Sequence, residues 1–131
     1  MALAWTSPSD DIIFQEGTFA YNFVASGTIN AGQVVEVNDT MKVRVDPTAN
    51  DTSWVGVAAY DVTDDEYVAV YGPGNIVRCK SSGAINVGSR VAINSAYGHV
   101  GVPEAGVGNG ACVGIALETV ATDTSVRVLL L

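Results

Sequence analysis

The chain is poor in the residue types that most enzymes and nucleic-acid binders depend on. It has one histidine, His99, and two cysteines, Cys79 and Cys112. Basic residues are scarce: six lysines and arginines stand against fourteen aspartates and glutamates, for a net charge of −8. A field of that sign repels phosphate backbones and anionic lipid surfaces, so neither nucleic acid nor membrane is expected as a partner. Long apolar runs are missing too. The tail at residues 128–131 falls far short of the roughly 20 residues that span a bilayer as a helix. Residues 1–7 (MALAWTS) carry no basic segment of the kind that opens a secretion signal, so synthesis and assembly in a cytoplasm are expected. Helical periodicity is absent: no window sustains an apolar stripe over ten residues. The two cysteines have no metal-ligating neighbours in sequence. They read as small core residues on strands, and a disulfide between them depends on geometry that spacing does not supply.

What is present is a 131-residue chain of 48% hydrophobic and 15% charged residues, a globular composition of one-domain size. Apolar residues alternate with polar ones, the period of a half-buried strand. Strands are predicted at residues 19–25, 33–37, 41–45, 54–60, 66–71, 76–79, 90–94, 112–117 and 125–130. Asn38-Asp39, Gly72-Pro73-Gly74 and Ser81-Ser82-Gly83 break them. Many short strands at this spacing predict an all-β fold, a small barrel-like or sandwich domain.

An internal repeat runs through it. SGTINAGQVVEV at 26–37 matches SGAINVGSRVAI at 82–93, an offset of 56. VGVA at 55–58 then matches VGIA at 113–116, an offset of 58, and Val62, Asp65, Val68 and Val70 pair with Val120, Asp123, Val126 and Val128. The change in offset places a two-residue insertion between Asn94 and Ala111. Two copies are too few for a solenoid and suit a closed unit with an approximate twofold relation. Repeat 1 covers about 19–71 and repeat 2 about 76–130, within a β domain at 14–131 that follows an N-terminal arm at 1–13. The repeat glycines have structural readings. Gly27 and Gly83 permit one turn, Gly32 and Gly88 a second, and Gly56 and Gly114 sit within strands where backbone approaches closely.

Catalytic chemistry is hard to find. His99, in the loop AYGHVG, has Ser89 and Ser95 near it in sequence but no nucleophile-elbow motif and no orienting acid, so it reads as a loop histidine. The acidic run at 61–66 (DVTDDE) lacks the alternating oxygens and central glycine of a calcium loop and reads as a solvated turn. The stretch at 101–110 (GVPEAGVGNG) has no G-K-(S/T) and precedes a strand, which excludes a phosphate cradle. Trp54 opens a repeat strand, where core or rim packing is expected; Trp5 lies in the arm, where an aromatic can anchor an interface. No catalytic, cofactor-binding or metal-ligating residue is assigned.

Several segments carry a family likeness: FQEG at 14–17, GVAA at 56–59, AINVGSRV at 84–91, and VGIALE at 113–118 followed by DTSVRV at 123–128. In order and spacing they resemble the small capsid-cement, or head-decoration, proteins of tailed phages, related in role to the lambda head-decoration protein. The likeness covers roughly residues 14–130. It departs at Ala92-Ile93, where the family often has aromatics, and at Thr122, where it often has glycine. It implies a non-enzymatic virion structural protein, a homotrimer or similar small oligomer, bound to the major capsid protein on the capsid exterior and needing no cofactor. Leu3, Trp5 and Phe14 are then the candidate capsid contacts. Two other classes stay open: a carbohydrate- or receptor-binding module, which would expose an aromatic platform, and a small hydrolase or ligand-binding barrel, which would need a polar pocket with perturbed titratable groups.

Overall fold

Valine-rich segments with a period of two form ten β-strands in the computed structural model, which describes residues 20–38, 41–103 and 112–131. They are β1 Ala20–Val24, β2 Val34–Val37, β3 Val43–Val45, β4 Trp54–Ala58, β5 Tyr67–Tyr71, β6 Ile76–Ser81, β7 Arg90–Ile93, β8 Val100–Gly101, β9 Cys112–Ala116 and β10 Thr124–Leu130. Every segment predicted to be extended is a strand, with ends shifted by a residue or two. Only β8 was not legible, because two residues in a glycine-flanked loop carry no periodicity.

The strands make two sheets. β1 to β5 form one, in the order β1-β5-β4-β2-β3. β6 to β10 form a closed barrel that reads, around its wall, β6-β10-β9-β7-β8. Parallel pairing of Ser81 with Val100 closes the barrel, and the Ser82 N–H donates to the Val100 carbonyl at 2.9 Å. In the first sheet a single parallel bridge, Ala25 to Val43, joins the two ends, and the Ser26 N–H donates to the Val43 carbonyl at 2.7 Å. Closure matters because a free sheet edge invites pairing with other chains.

Pairing register is the same in both sheets at the compared positions. Val35 lies opposite Gly56, and Val91 opposite Gly114, each followed by an irregularity in the ladder. Ile29 bridges Val62, and Ile85 bridges Val120. The Gly32 N–H donates to the Ala58 carbonyl at 2.9 Å, and the Gly88 N–H to the Ala116 carbonyl at 2.8 Å. At both strand glycines the space for a side chain is taken. A Cβ on Gly56 would fall on the Tyr71 carbonyl oxygen and lie 2.6 Å from Val70 Cγ1. One on Gly114 would fall on the Leu129 carbonyl oxygen and lie 2.5 Å from Val128 Cγ1.

Two apolar clusters fill the interior. The first gathers Ala25, Ile29, Val35, Val43, Ala58, Val68 and Val70. The second gathers Val77, Ile85, Val91, Ile93, Val113, Val126 and Val128, and it also takes in Val34 and Val57 from the first sheet. Consecutive residues of β2, Val34 and Val35, are therefore both fully buried, one in each cluster; Val57 and Ala58 of β4 divide likewise. Alternation of side chains along a strand makes this possible: β2 and β4 have a core on either face. Each such aliphatic side chain contributes about 1.5–3 kcal/mol.

Backbone bonds stitch the same seam. The Lys80 N–H donates to the Gly32 carbonyl at 2.8 Å, the Val34 N–H to the Gly98 carbonyl at 2.9 Å, and the Asn50 N–H to the Ile93 carbonyl at 2.7 Å. Gln33 Nε2 donates to the Tyr97 carbonyl at 2.9 Å. Gly98 adopts a left-handed φ of +67°, and a Cβ there would lie 2.6 Å from the Val34 carbonyl oxygen. Trp54 and Tyr71 pack along the seam against the second cluster.

Steric contrast among the glycines gives a test. Gly56→Ala and Gly114→Ala should each destabilise the fold by at least about 2 kcal/mol, because backbone must move to admit a methyl group. Gly83→Ala, left-handed but with no atom within 4 Å of its Cβ position, should cost only about 1 kcal/mol. Urea unfolding of the three variants measures this, and equal losses would contradict the close approach.

Candidate functional site

Carboxylates in the acidic run at 61–66 are mostly used by the backbone. Asp61 Oδ1 accepts from the Ala31 N–H at 2.7 Å, and Asp64 Oδ1 from the Gly27 N–H at 2.7 Å. Glu66 Oε1 accepts from the Thr63 N–H at 2.6 Å and from its hydroxyl at 2.8 Å, and these bonds hold its carboxyl below the usual range. Asp65, left-handed at φ 66°, takes Lys42 Nζ at 2.6 Å. The run thus ties turns of one half together. Asp123 Oδ1 does the same in the other half, accepting from the Gly83 N–H at 2.6 Å, and Thr119 Oγ1 accepts from the Val87 N–H at 3.0 Å. The repeat register at offset 58 pairs Asp123 with Asp65. The structure gives the equivalent bond to Asp64, one residue earlier, because the two turns differ in shape. The four turn glycines Gly27, Gly32, Gly83 and Gly88 all lie in the left-handed region, at φ from 77° to 87°.

The other residues singled out from the sequence are scattered. His99 is half-buried in the loop between β7 and β8, with its ring centroid 6.1 Å from that of Tyr97; its carbonyl accepts from the Asn94 N–H at 3.0 Å. Burial, followed by the Lys80 charge, pushes its pKa down. Cys79 and Cys112 are both free. Cys79 is fully buried, which pushes its thiol up to about 12, and Cys112 Sγ donates to the Gly114 carbonyl at 3.1 Å. Trp54 packs at the seam. Leu3, Trp5 and Phe14 lie outside the described residues, as does most of the glycine-rich stretch at 101–110.

One grouping was not legible in the sequence. Glu36 on β2, Asp46 just after β3 and Asp51 in the loop before β4 bring carboxylate oxygens within 4.8 Å of one another. No short motif links positions 36, 46 and 51; antiparallel pairing of β2 with β3 and the fold of the following loop bring them together. Asp46 is fully buried. Its Oδ1 accepts from the Thr48 N–H at 3.0 Å, while Oδ2 has no hydrogen-bond donor. Burial raises its carboxyl to about 7; the Thr48 N–H opposes the rise, and the charges of Asp51 and Glu36 add to it. Burial also acts to raise the Asp51 carboxyl, but bonds from Ser53, Asp46 and Thr52 outweigh it and hold the group below its ordinary value. Glu36 Oε2 takes Arg44 Nε at 2.8 Å.

Large apolar side chains are exposed on both halves: Tyr21, Met41 and Tyr67 on the first, Val87, Tyr97 and Leu131 on the second.

Comparison with known proteins adds two findings. A family model described as phage cement protein matches residues 14–130. Among solved structures, the N base of head fiber gp8.5 of bacteriophage phi29 shares the fold, with a TM-score of 0.62, 16% identity, and coverage of 90% of this chain and 95% of that one. No curated protein matches the sequence.

The buried carboxyl of Asp46 makes stability depend on pH. Its pKa is raised on folding, so the folded chain holds a proton that the unfolded chain releases between about pH 4 and pH 7. The stability linked to that proton is present at acid pH and lost as pH rises through about 7. It amounts to up to about 4 kcal/mol, at 1.36 kcal/mol per pKa unit. In buffer containing a chelator, Asp46→Asn should therefore be more stable than wild type at pH 8 and equal to it near pH 4. A variant less stable than wild type across that range would contradict the assignment.

Proposed function

Because the chain belongs to the phage cement protein family, we propose that it is a virion structural protein that binds the exterior of an assembled icosahedral capsid and stabilises it. The family match, which runs through both halves, carries the reading. The physics is simple. A protein that binds the assembled shell but not free subunits stabilises the shell by mass action. One that straddles neighbouring coat subunits adds an interface that must break before they separate, and oligomeric binding multiplies its effect. The net charge of −8 favours docking on a less acidic patch of the major capsid protein. The role needs no cofactor and no catalysis, and the setting is the virion surface after assembly in a host cytoplasm.

We read the two halves as copies of one unit. Support comes from the shared strand order, the shared register at Val35–Gly56 and Val91–Gly114, and the matched turn bonds to Gly27 and Gly83. The seam is then used once within the chain. Gly32, Val34, Val57 and Tyr71 of the first half meet the second half there, whereas their counterparts Gly88, Arg90, Ile115 and Leu129 have no third half to meet. Gly88 has nothing within 4 Å of its Cβ position, where Gly32 has the backbone of Arg78 and Lys80 at 3.1 Å. A second chain presenting Asn22 to Val24 on this face repeats the seam head to tail, and a homotrimer closes such a series into a ring of six related halves. Leu3, Trp5 and Phe14 in and beside the arm at 1–13 serve as capsid anchors in this reading.

Capsids lacking the protein should release their genome at lower temperature, or under milder chelation or osmotic shock, than decorated ones. Identical failure of the two would remove the cement role and leave a receptor- or carbohydrate-binding module as the alternative. Deleting residues 1–11 should weaken capsid occupancy by more than tenfold, the equivalent of about 2 kcal/mol for a buried tryptophan at a hot spot. Unchanged occupancy with the fold intact would rule out the anchor.

A further inference from the structure

The grouping of Glu36, Asp46 and Asp51 is unusual for where it sits. Asp46 faces two acidic neighbours and is hidden from water: its residue has no accessible surface, and its Oδ2 has no N–H donor, only the neighbouring Asp51 carboxyl. A buried carboxylate oxygen without a donor loses its water hydrogen bonds and gains nothing in return. Two further carboxylates within 4.8 Å make matters worse, since like charges at that distance repel. The cationic side chain at the group is Arg44, and it engages Glu36 from the outer side, half-exposed. A second oxygen on the same loop, Asn50 Oδ1, is also buried without a donor.

We propose that Glu36, Asp46 and Asp51 form a binding site for a calcium ion. The donor set is all oxygen, with neither nitrogen nor sulfur, which selects a hard cation over zinc or copper. Calcium fits better than magnesium. It accepts irregular sets of carboxylate and carbonyl oxygens, whereas magnesium demands near-ideal octahedral geometry and sheds its waters reluctantly. Such an ion supplies the missing partner of Asp46 Oδ2 and neutralises the mutual repulsion of the three groups.

The frame is already in place. Glu36 stands on β2, whose neighbours Val34 and Val35 are locked in the two cores. The Asp46 N–H donates to the Val34 carbonyl at 2.9 Å, which fixes the end of β3. Asp51 is oriented by the Thr52 N–H at 2.7 Å and by the Ser53 N–H and hydroxyl at 3.1 and 2.9 Å. Between them, the Asn50 N–H donates to Ile93 across the seam. An ion bound here braces the loop that ties the two halves together, so its binding stabilises the whole fold. The acidic run at 61–66, the obvious place to seek calcium in the sequence, has its carboxylates committed to backbone donors and to Lys42.

The test uses the full chain, stripped of metal at pH 7.5, with calcium added alone. At a hundredfold excess over the Kd, linkage predicts a rise in melting temperature of about 10 °C. Asp51→Asn and Glu36→Gln should each fold and lose most of that rise, while Asp61→Asn keeps it. Terbium(III) offers a second readout: Trp54 lies opposite Glu36 in the β2–β4 pairing, so terbium luminescence excited through tryptophan should appear and be competed away by calcium. Absence of a shift up to about 10 mM calcium, beyond the weakest range of structural calcium sites, overturns the proposal. So does a shift that survives in both carboxylate variants, or one that magnesium reproduces in full.

Discussion

In β2 and β4, neighbouring residues are buried in different directions: Val34 and Val57 in the core of the second half, Val35 and Ala58 in that of the first. This doubly covered strand pair is the constraint on which the rest of the molecule depends. It requires side chains on both faces to be apolar and small, and it requires Gly56, opposite Val35, to leave room for the Tyr71 carbonyl. It also fixes the position of Gly98, whose backbone rests on Val34. A five-stranded sheet and a five-stranded barrel of this size would each bury little surface alone. Sharing a strand pair joins their cores into one cooperative body without a disulfide, and both cysteines are indeed free.

Much of this was legible in the sequence because the signals are local. Alternation at 41–45 and the apolar run at 112–117 are enough to mark strands, and a strand glycine flanked by β-branched residues marks a close approach. Features set by residues far apart were not legible. β8 is strand because Val100 pairs with Ser81 and with Ile93, not because of any pattern of its own. The Glu36, Asp46 and Asp51 grouping depends on the β2–β3 register and on a loop pinned to Ile93. Trp54 was ambiguous because its partner core belongs to the other half. Asp64 takes the place expected of Asp65 because a one-residue change in turn shape is invisible to an alignment of identical letters.

The same architecture frames the proposed role. The inner seam uses one face of the first half; among the described residues, Gly88 at the corresponding place in the second half has nothing within 4 Å of its Cβ position, next to exposed Val87. In the proposed role, self-association and capsid docking would use surfaces other than the ones that hold the fold. Among the described residues, most acidic side chains accept from backbone N–H groups of turns and strands.

Co-sedimentation of the purified protein with intact capsids and, separately, with free coat protein tests the central claim most directly. Saturable binding to capsids at a fixed number of copies, with little or none to free coat protein, is the predicted result. Equal binding to both, or none to capsids, would contradict it.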